Sequence, residues 1–230
     1  MKTNLIDKQE ITYQAGDQTI TGDLVIPANA KAIVIFCHGI NSSRHSPRNI
    51  PAADLLNHSG IATLLISIEK IDEDLFLKGS NLHVLSNRFA DITRAVLSDS
   101  RTEKLSIGYF GSGTGAAVVL AASTKFQHEV KAIVCRGGRP EEAVALLDQV
   151  KAVTLLICGE NDKEGIALNE MTKDHLKVPC ELKIIPGASR LFEERGKLGE
   201  AAQLALDWYY KHLLPSAEKQ PHQANMQHIN

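Results

Sequence analysis

No stretch of this sequence is apolar for long enough to cross a membrane, and neither sign of charge dominates it. No apolar run approaches the ~18 residues that a membrane-spanning helix needs. The formal net charge of −2 argues against nucleic-acid binding through bulk electrostatics. The first residues, Met1–Lys8, lack the apolar core of a secretory signal. We therefore expect neither a membrane nor a nucleic acid among the partners of this chain.

The cysteines lack the spacing of a zinc or redox site. Four are present, and no two of them form a C-x-x-C pair: Cys37, Cys135, Cys158 and Cys180. The first three each close an apolar run, so we expect small buried thiols in a reducing, cytoplasmic environment. No histidine pair has a convincing metal-ligand spacing either. The sequence therefore predicts neither a metal nor another cofactor.

Short apolar runs predict the strands of a mostly parallel sheet. The N-terminal segment alternates apolar and polar residues on both sides of Ala15–Asp17, which predicts an antiparallel hairpin. Five continuous runs and one alternating run follow: Ala32–Cys37, Ile61–Ile68, Leu105–Phe110, Ala132–Cys135, Val153–Cys158 and Glu181–Ile185. Continuous runs bury both faces, as parallel strands covered by helices do, whereas the alternating last run fits an edge strand.

Helical patterns separate these runs. The predicted helices are Pro51–His58, Asn87–Ser98, Thr114–Lys125, Glu141–Val150, Glu164–Leu176 and Lys197–Leu214. This alternation predicts an α/β fold with a doubly wound sheet flanked by helices, in a single domain over residues 1–214. The longest irregular connection, Glu69–Ser86, is too short for a cap domain and suits a loop over a site. Residues 215–230 are polar and are predicted to form a disordered tail.

The segment Ile107–Gly115 has the frame of a nucleophile elbow without the nucleophile. The pattern G-x-S-x-G, at the end of a buried strand, falls on residues 111–115, but its central residue is Gly113. An enzyme that attacks a carbonyl from this turn needs an oxygen or sulfur atom there, and glycine has no side chain. Glycine does avoid the strain of ~1–3 kcal/mol that the elbow conformation imposes on other residues.

The order of motifs resembles that of the α/β-hydrolase superfamily, and more closely its dienelactone-hydrolase-like branch. The resemblance covers roughly residues 18–214. It rests on six pieces that follow the predicted strands in order: Phe36–Gly39, Ser43–Asn49, Ile107–Gly111, Cys135–Pro140, Cys158–Asp162 and Pro186–Glu194. The resemblance implies an α/β-hydrolase fold with an N-terminal hairpin and no cap domain.

The resemblance also implies a catalytic triad in the chain order nucleophile, acid, histidine. The acid falls on Asp162, whereas Gly113 and Arg190 occupy the nucleophile and histidine positions. Arg190 cannot act as a general base because a guanidinium stays protonated. Losing a triad nucleophile alone costs about 10⁶ in rate in subtilisin. We expect Asp162, without its imidazole, to pair with Arg190 instead.

Arginines crowd the loops at the predicted end of the sheet where the elbow lies. They are Arg44, Arg48, Arg136, Arg139 and Arg190. The resemblance implies backbone N–H groups of Ile40 and Thr114 as oxyanion donors, and Ser112, next to the elbow centre, is a further candidate for ligand binding. Ligands of open α/β sheets bind at this end, and bidentate guanidinium contacts suit a carboxylate or phosphate. The alternative is that each arginine bonds loop carbonyls and carboxylates.

Three hypotheses about function follow. The first is a pseudo-hydrolase that binds a small anionic ligand or a partner, because two of three triad positions have changed. The second is an active hydrolase of an ester, lactone or thioester with a relocated mechanism, using His45 as acid–base or Ser112. The Ser112 hydroxyl is expected to bond to nearby backbone instead. The third is a non-hydrolytic enzyme that uses the oxyanion hole. The sequence does not indicate an oligomeric state.

Overall fold

The computed structural model of this protein describes residues 8–16, 18–39, 42–68 and 80–214. Three sequence-based expectations fall outside the described residues. They are the oxyanion donor at Ile40, the tail over 215–230, and the part of the irregular connection over 69–79.

Eight strands form one sheet. They are β1 (Lys8–Ala15), β2 (Gln18–Val25), β3 (Ala32–Cys37), β4 (Ala62–Ile66), β5 (Ser106–Ser112), β6 (Val130–Arg136), β7 (Val153–Gly159) and β8 (Cys180–Ile185). Their spatial order is β1-β2-β4-β3-β5-β6-β7-β8. The hairpin of β1 and β2 is antiparallel and pairs antiparallel with β4, and every other pairing is parallel. The predicted hairpin, the parallel sheet and the edge position of the last strand are confirmed.

The chain reverses direction across the sheet at β3. From β3 it passes to β4 on one side and then crosses to β5 on the other. Open α/β sheets bind ligands outside the carboxyl ends of their strands at such a switch point. The elbow at the end of β5 and the loop after β3 therefore meet where the fold favours a ligand.

Helices cover both faces of the sheet. They are α1 (Ile50–His58), α2 (Ser80–Ser98), α3 (Gly115–Ser123), the 3₁₀ helix η1 (Pro140–Gln149), α4 (Lys163–His175) and α5 (Lys197–Leu213). Helices α1 and α5 pack on one face, and α2, α3 and η1 pack on the other. All nine residues of α3 are buried, as its alanine-rich and valine-rich sequence predicts. Over the described part of the chain, no helix combines the length and apolar character needed to span a bilayer.

Two helices differ from the sequence-based prediction. Residues predicted as an α-helix over Glu141–Val150 form η1, which starts at Pro140 and receives no side-chain cap from Arg139. Helix α2 begins at Ser80 instead of Asn87, so the last part of the predicted irregular connection is helical. Its added turns extend the apolar stripe, because Leu82 and Leu85 pack against the same core as the stripe of Phe89.

Candidate functional site

The elbow predicted around Gly113 is present. Strand β5 ends at Ser112, Gly113 follows with φ +58°, and Thr114 precedes the first residue of α3. The Gly113 carbonyl accepts hydrogen bonds from the N–H of Ala116 at 3.2 Å and of Arg139 at 3.0 Å. Only glycine adopts this left-handed conformation readily. The segment therefore has the strand, tight turn and helix that its sequence pattern predicts.

We expect Gly113→Ser to lower the melting temperature of the protein. A β-carbon at this position would meet only the Gly39 Cα, at an ordinary 3.5 Å, so the cost comes from the positive φ and not from a clash. That conformation costs a non-glycine residue about 1–2 kcal/mol, and each kcal/mol shifts the melting temperature of a chain this size by about 2–4 °C. Differential scanning calorimetry measures the change. An increase would contradict the assigned elbow conformation.

A cavity of about 170 Å³ opens beside the elbow, at the carboxyl ends of β3, β5 and β6. Its described wall carries three arginines, Arg48, Arg136 and Arg190, and four hydroxyl residues, Ser42, Ser46, Ser112 and Thr114. The remaining lining residues are glycines and Leu191. No carboxylate, imidazole or thiol belongs to this set of lining residues. The described lining therefore offers cations and hydroxyls but no general base.

Arg136 is the buried cation of this cavity. It ends β6, is only 5% exposed, and donates to the Arg48 carbonyl at 2.6 Å and to Asn49 Oδ1 at 2.8 Å. Burial, together with the nearby charge of Arg48, lowers the pKa of Arg136 to about 10, so the guanidinium stays charged at neutral pH. Neither of its hydrogen-bond partners carries a negative charge. A buried cation without a counter-ion is costly unless an anion reaches it.

Two aromatic rings hold the guanidinium of Arg136 from the protein side. Its Cζ atom lies 5.4 Å from the ring centroid of Phe110 and 6.0 Å from that of Phe192. Phe192 is buried and has φ +58°, a conformation that is rare for a bulky residue. Strain of this kind persists where surrounding packing enforces it and is common at binding sites. The packing around Phe192 therefore helps to position the cation.

Arg48 and Arg190 have weak counter-charges. The Arg48 guanidinium lies 3.9 Å from Glu193, whose side chain is 66% exposed, so the pair contributes little. The charge of Arg190 acts on Glu142. Burial raises the pKa of Glu142 to about 7, helped by the charge of Glu141 and opposed by Arg139 and Arg190. This carboxyl therefore keeps its proton to a higher pH than an ordinary glutamate does.

Three predicted site residues have side chains that do not line the cavity. Arg44 pairs with Glu10 at 2.6 Å and with the buried Asp23 at 3.3 Å, which ties the loop after β3 to the hairpin. His45 has a side chain that is 62% exposed and lies 3.9 Å from the same Asp23 carboxylate. Arg139 forms an ion pair with Glu141 of η1. The alternative in which arginines satisfy local carboxylates holds for Arg44 and Arg139, because anions of the protein already surround them.

The expected ion pair between Asp162 and Arg190 is absent from the described residues. Asp162 follows β7, as the acid of the pattern should, but its Oδ1 accepts from the Gly165 N–H at 3.0 Å and caps α4. A carboxylate at a helix N-terminus is stabilised by the unpaired N–H groups and the helix dipole. Asp162 and Gly165 are three residues apart, so this cap is a local contact at the start of α4. Asp162 makes it in place of the predicted ion pair with Arg190.

The remaining predicted positions are brought together. Ser112, Gly113 and Thr114 line the cavity with Arg48, Arg136 and Arg190. The bond of the Ser112 hydroxyl to nearby backbone stays a prediction. His38 braces the loop start, since its Nδ1 donates to the Gly39 carbonyl at 2.8 Å, and burial lowers its pKa.

Sequence reasoning missed several residues of the site. Ser42 and Ser46 line the cavity, Asn49 fixes the guanidinium of Arg136, and Gly137 lets two loops touch. The signal for Ser46 and Asn49 was present, because both lie in the motif after β3, at the switch point of the sheet. The described residues contain no group of histidine, cysteine, aspartate and glutamate side chains that could hold a metal ion.

Comparison with known proteins adds a family to this geometry. The sequence model of the Dienelactone hydrolase family matches residues 52–212, which include Gly113, Asp162 and Arg190. The crystal structure of a dienelactone hydrolase from Anabaena variabilis is 39% identical, with a TM-score of 0.85 over 91% of this chain and 99% of that chain. Est1E from Butyrivibrio proteoclasticus is 13% identical with a TM-score of 0.76, over 88% of this chain and 98% of that chain, which shows a shared fold alone.

Curated relatives are longer than this chain. A Mycobacterium tuberculosis protein with the provisional name phosphoribosyl transferase is 38% identical over 206 residues, which make up 89% of this chain and 46% of that protein. The same protein of a second strain matches equally. This chain therefore spans about half the length of the curated relatives that it matches.

Proposed function

We propose, from the premise that this chain belongs to the dienelactone hydrolase family, that it binds a small anionic ligand and does not hydrolyse esters through a nucleophilic triad. The wall of the cavity carries this proposal, because its arginines and hydroxyls are accompanied by no general base among the described lining residues. Acyl transfer from an elbow needs a nucleophile and a base within hydrogen-bond reach. Gly113 and Arg190 supply neither.

The placement of Arg136 favours an anion over a neutral ligand. The guanidinium is buried against Phe110 and Phe192, and within the described part of the chain its bonds to Arg48 and Asn49 supply no negative charge. An anion that enters the cavity would gain charge-assisted hydrogen bonds and remove this cost. Because the partners of Arg136 already fix its plane, little side-chain freedom would be lost on binding.

The expected result with the purified full chain is no covalent labelling by a fluorophosphonate probe together with stabilisation by small anions. Ligand that binds only the folded state at 100 times its Kd stabilises by about 2.7 kcal/mol, which a thermal melt with acetate, sulfate or phosphate detects. Arg190→Gln should reduce the shift, whereas Arg139→Gln, which removes a neighbouring arginine outside the cavity, should not. Labelling of one probe per chain, or no shift with any of the three anions, would refute the proposal.

A second candidate is hydrolysis with a relocated mechanism, which the presence of Ser112 in the cavity wall favours. The 39% identical relative is named as a dienelactone hydrolase. His45 gives this candidate little support, because its imidazole lies beside the Asp23 carboxylate and does not line the cavity. Turnover of an ester, lactone or thioester that disappears in Ser112→Ala would establish it. Turnover that survives both Ser112→Ala and His45→Ala would remove it.

A further inference from the structure

We infer that the anion of this cavity carries a phosphoryl group in its dianionic form, with Arg136 as its central ligand. This inference rests on the proposed anion binding and adds the chemical class of the ligand. It is carried by the charge of the cavity, by the number and arrangement of its donors, and by its size.

The charge of the cavity exceeds what a monoanion neutralises. Three guanidinium groups line it, and Arg136 pairs with no carboxylate of the described residues. The contact of Arg48 with Glu193 spans 3.9 Å at an exposed position, so it leaves most of the Arg48 charge uncompensated. Arg190 forms no ion pair with a carboxylate of the described residues, and burial raises the pKa of Glu142, on which its charge acts. A phosphate monoester carries about −1.5 to −2 at pH 7, against −1 for a carboxylate.

The donors suit a tetrahedral group better than a planar one. A guanidinium has five N–H groups, and the Arg48 carbonyl and Asn49 Oδ1 fix the plane of Arg136 by accepting from two of its nitrogens. The hydroxyls of Ser42, Ser46 and Ser112 lie in the wall of the same cavity. A phosphoryl group presents three acceptor oxygens in a tetrahedral arrangement, which takes donors from several sides. A carboxylate presents two oxygens in one plane.

The cavity is small for a complete organic ligand. Its volume of about 170 Å³ lies below the roughly 300–1,000 Å³ of drug-sized sites. It therefore accommodates a phosphoryl head group with at most a small remainder. Inorganic phosphate and a small phosphate monoester share this head group, and the titrations below separate them.

Isothermal titration calorimetry of the full chain with four compounds tests the inference. Methyl phosphate and methyl sulfate share a tetrahedral shape and differ in charge, acetate is a planar monoanion, and inorganic phosphate lacks the ester. We expect methyl phosphate at pH 7.5 to bind at least about tenfold more tightly than methyl sulfate, and acetate more weakly still. Inorganic phosphate binding more tightly than methyl phosphate would support the class and identify free phosphate as the source. The reverse order would identify an ester.

Variants assign the effect to this cavity. Arg136→Met, which conserves much of the side-chain volume, should weaken methyl phosphate binding by at least about tenfold. Arg190→Gln should weaken it as well and keeps the test valid if Arg136→Met fails to fold, because Arg190 lies at the exposed mouth. The matched control Arg139→Gln removes an arginine that is paired with Glu141 outside the cavity, and affinity should stay within twofold.

Three outcomes would overturn the inference. Equal affinity for methyl phosphate and methyl sulfate, or preference for acetate, would leave anion binding intact but exclude a dianionic phosphoryl ligand. Equal losses in Arg139→Gln and Arg190→Gln would show that binding follows net charge and not this cavity. Absence of binding by all four compounds would refute both the inference and the proposed function.

Discussion

Gly137→Ala should destabilise this protein by about 3 kcal/mol or more and disrupt the anion site at the same time. Gly137 has φ +52°, and a β-carbon there would lie 2.3 Å from the Arg190 carbonyl oxygen and 3.1 Å from Cε2 of Phe192. The positive φ alone costs about 1–2 kcal/mol. The contact with a backbone oxygen adds a clash that no side-chain rotation relieves, so one loop must move.

The same movement should weaken ligand binding, because at Gly137 the loop that follows Arg136 contacts the loop that carries Arg190. It follows Arg136 directly, and its bare α-carbon allows the backbone of Arg190 to approach. Chemical denaturation measures the free energy of unfolding, and titration with phosphate measures affinity. Displacement of either guanidinium by 1 Å is enough to reduce binding severely in sites that depend on preorganised contacts.

A matched control separates the clash from the backbone conformation. Gly187 lies in the loop after β8 with φ +70°, but a β-carbon there meets no atom within 4 Å. Gly187→Ala should therefore cost only about 1–2 kcal/mol and leave ligand affinity unchanged. Equal destabilisation by Gly137→Ala and Gly187→Ala would show that the close approach of the two arginine loops does not contribute.

Most of the fold could be predicted because the residue pattern of each strand reflects which of its faces are buried. Strands buried on both faces appear as continuous apolar runs, and the predicted run Ala32–Cys37 coincides with β3. The start of α2 was missed although its stripe was visible, because the polar residues around Leu82 and Leu85 resemble a loop. The 3₁₀ character of η1 depends on backbone hydrogen bonding, which a side-chain pattern does not encode.

The elbow could be predicted from the sequence, whereas the partners of the individual arginines could not. Gly113 could be identified because strand, turn and helix leave a local pattern. The arginines share an end of the sheet but differ in partners, and partners are contributed by distant segments. Arg44 is neutralised by Asp23 of β2, whereas Arg136 meets Asn49, which is polar but uncharged. Only the three-dimensional arrangement distinguishes a compensated arginine from an uncompensated one.

Gly113→Ser combined with Arg190→His should produce an esterase where neither single change does. A β-carbon at residue 113 has room, with Gly39 Cα at 3.5 Å. The loop of residue 190 contacts the acid loop, since the Asn161 N–H donates to the Ala188 carbonyl at 2.9 Å. It also contacts Gly137 beside the elbow. Serine without a base, or histidine without a nucleophile, gives almost no activity, because triad residues act as a unit.

The expected readout is hydrolysis of 4-nitrophenyl acetate, with kcat/KM at least about a hundredfold above that of either single variant. The double variant should also react with a fluorophosphonate probe. Asp162 must leave its cap on the Gly165 N–H, or share it, in order to orient the new imidazole. Asp162→Asn in the double variant should therefore remove most of the gain. If Gly113→Ser alone has the same kcat/KM as the double variant, Arg190 does not occupy the histidine position. That result would contradict the assignment of a lost triad.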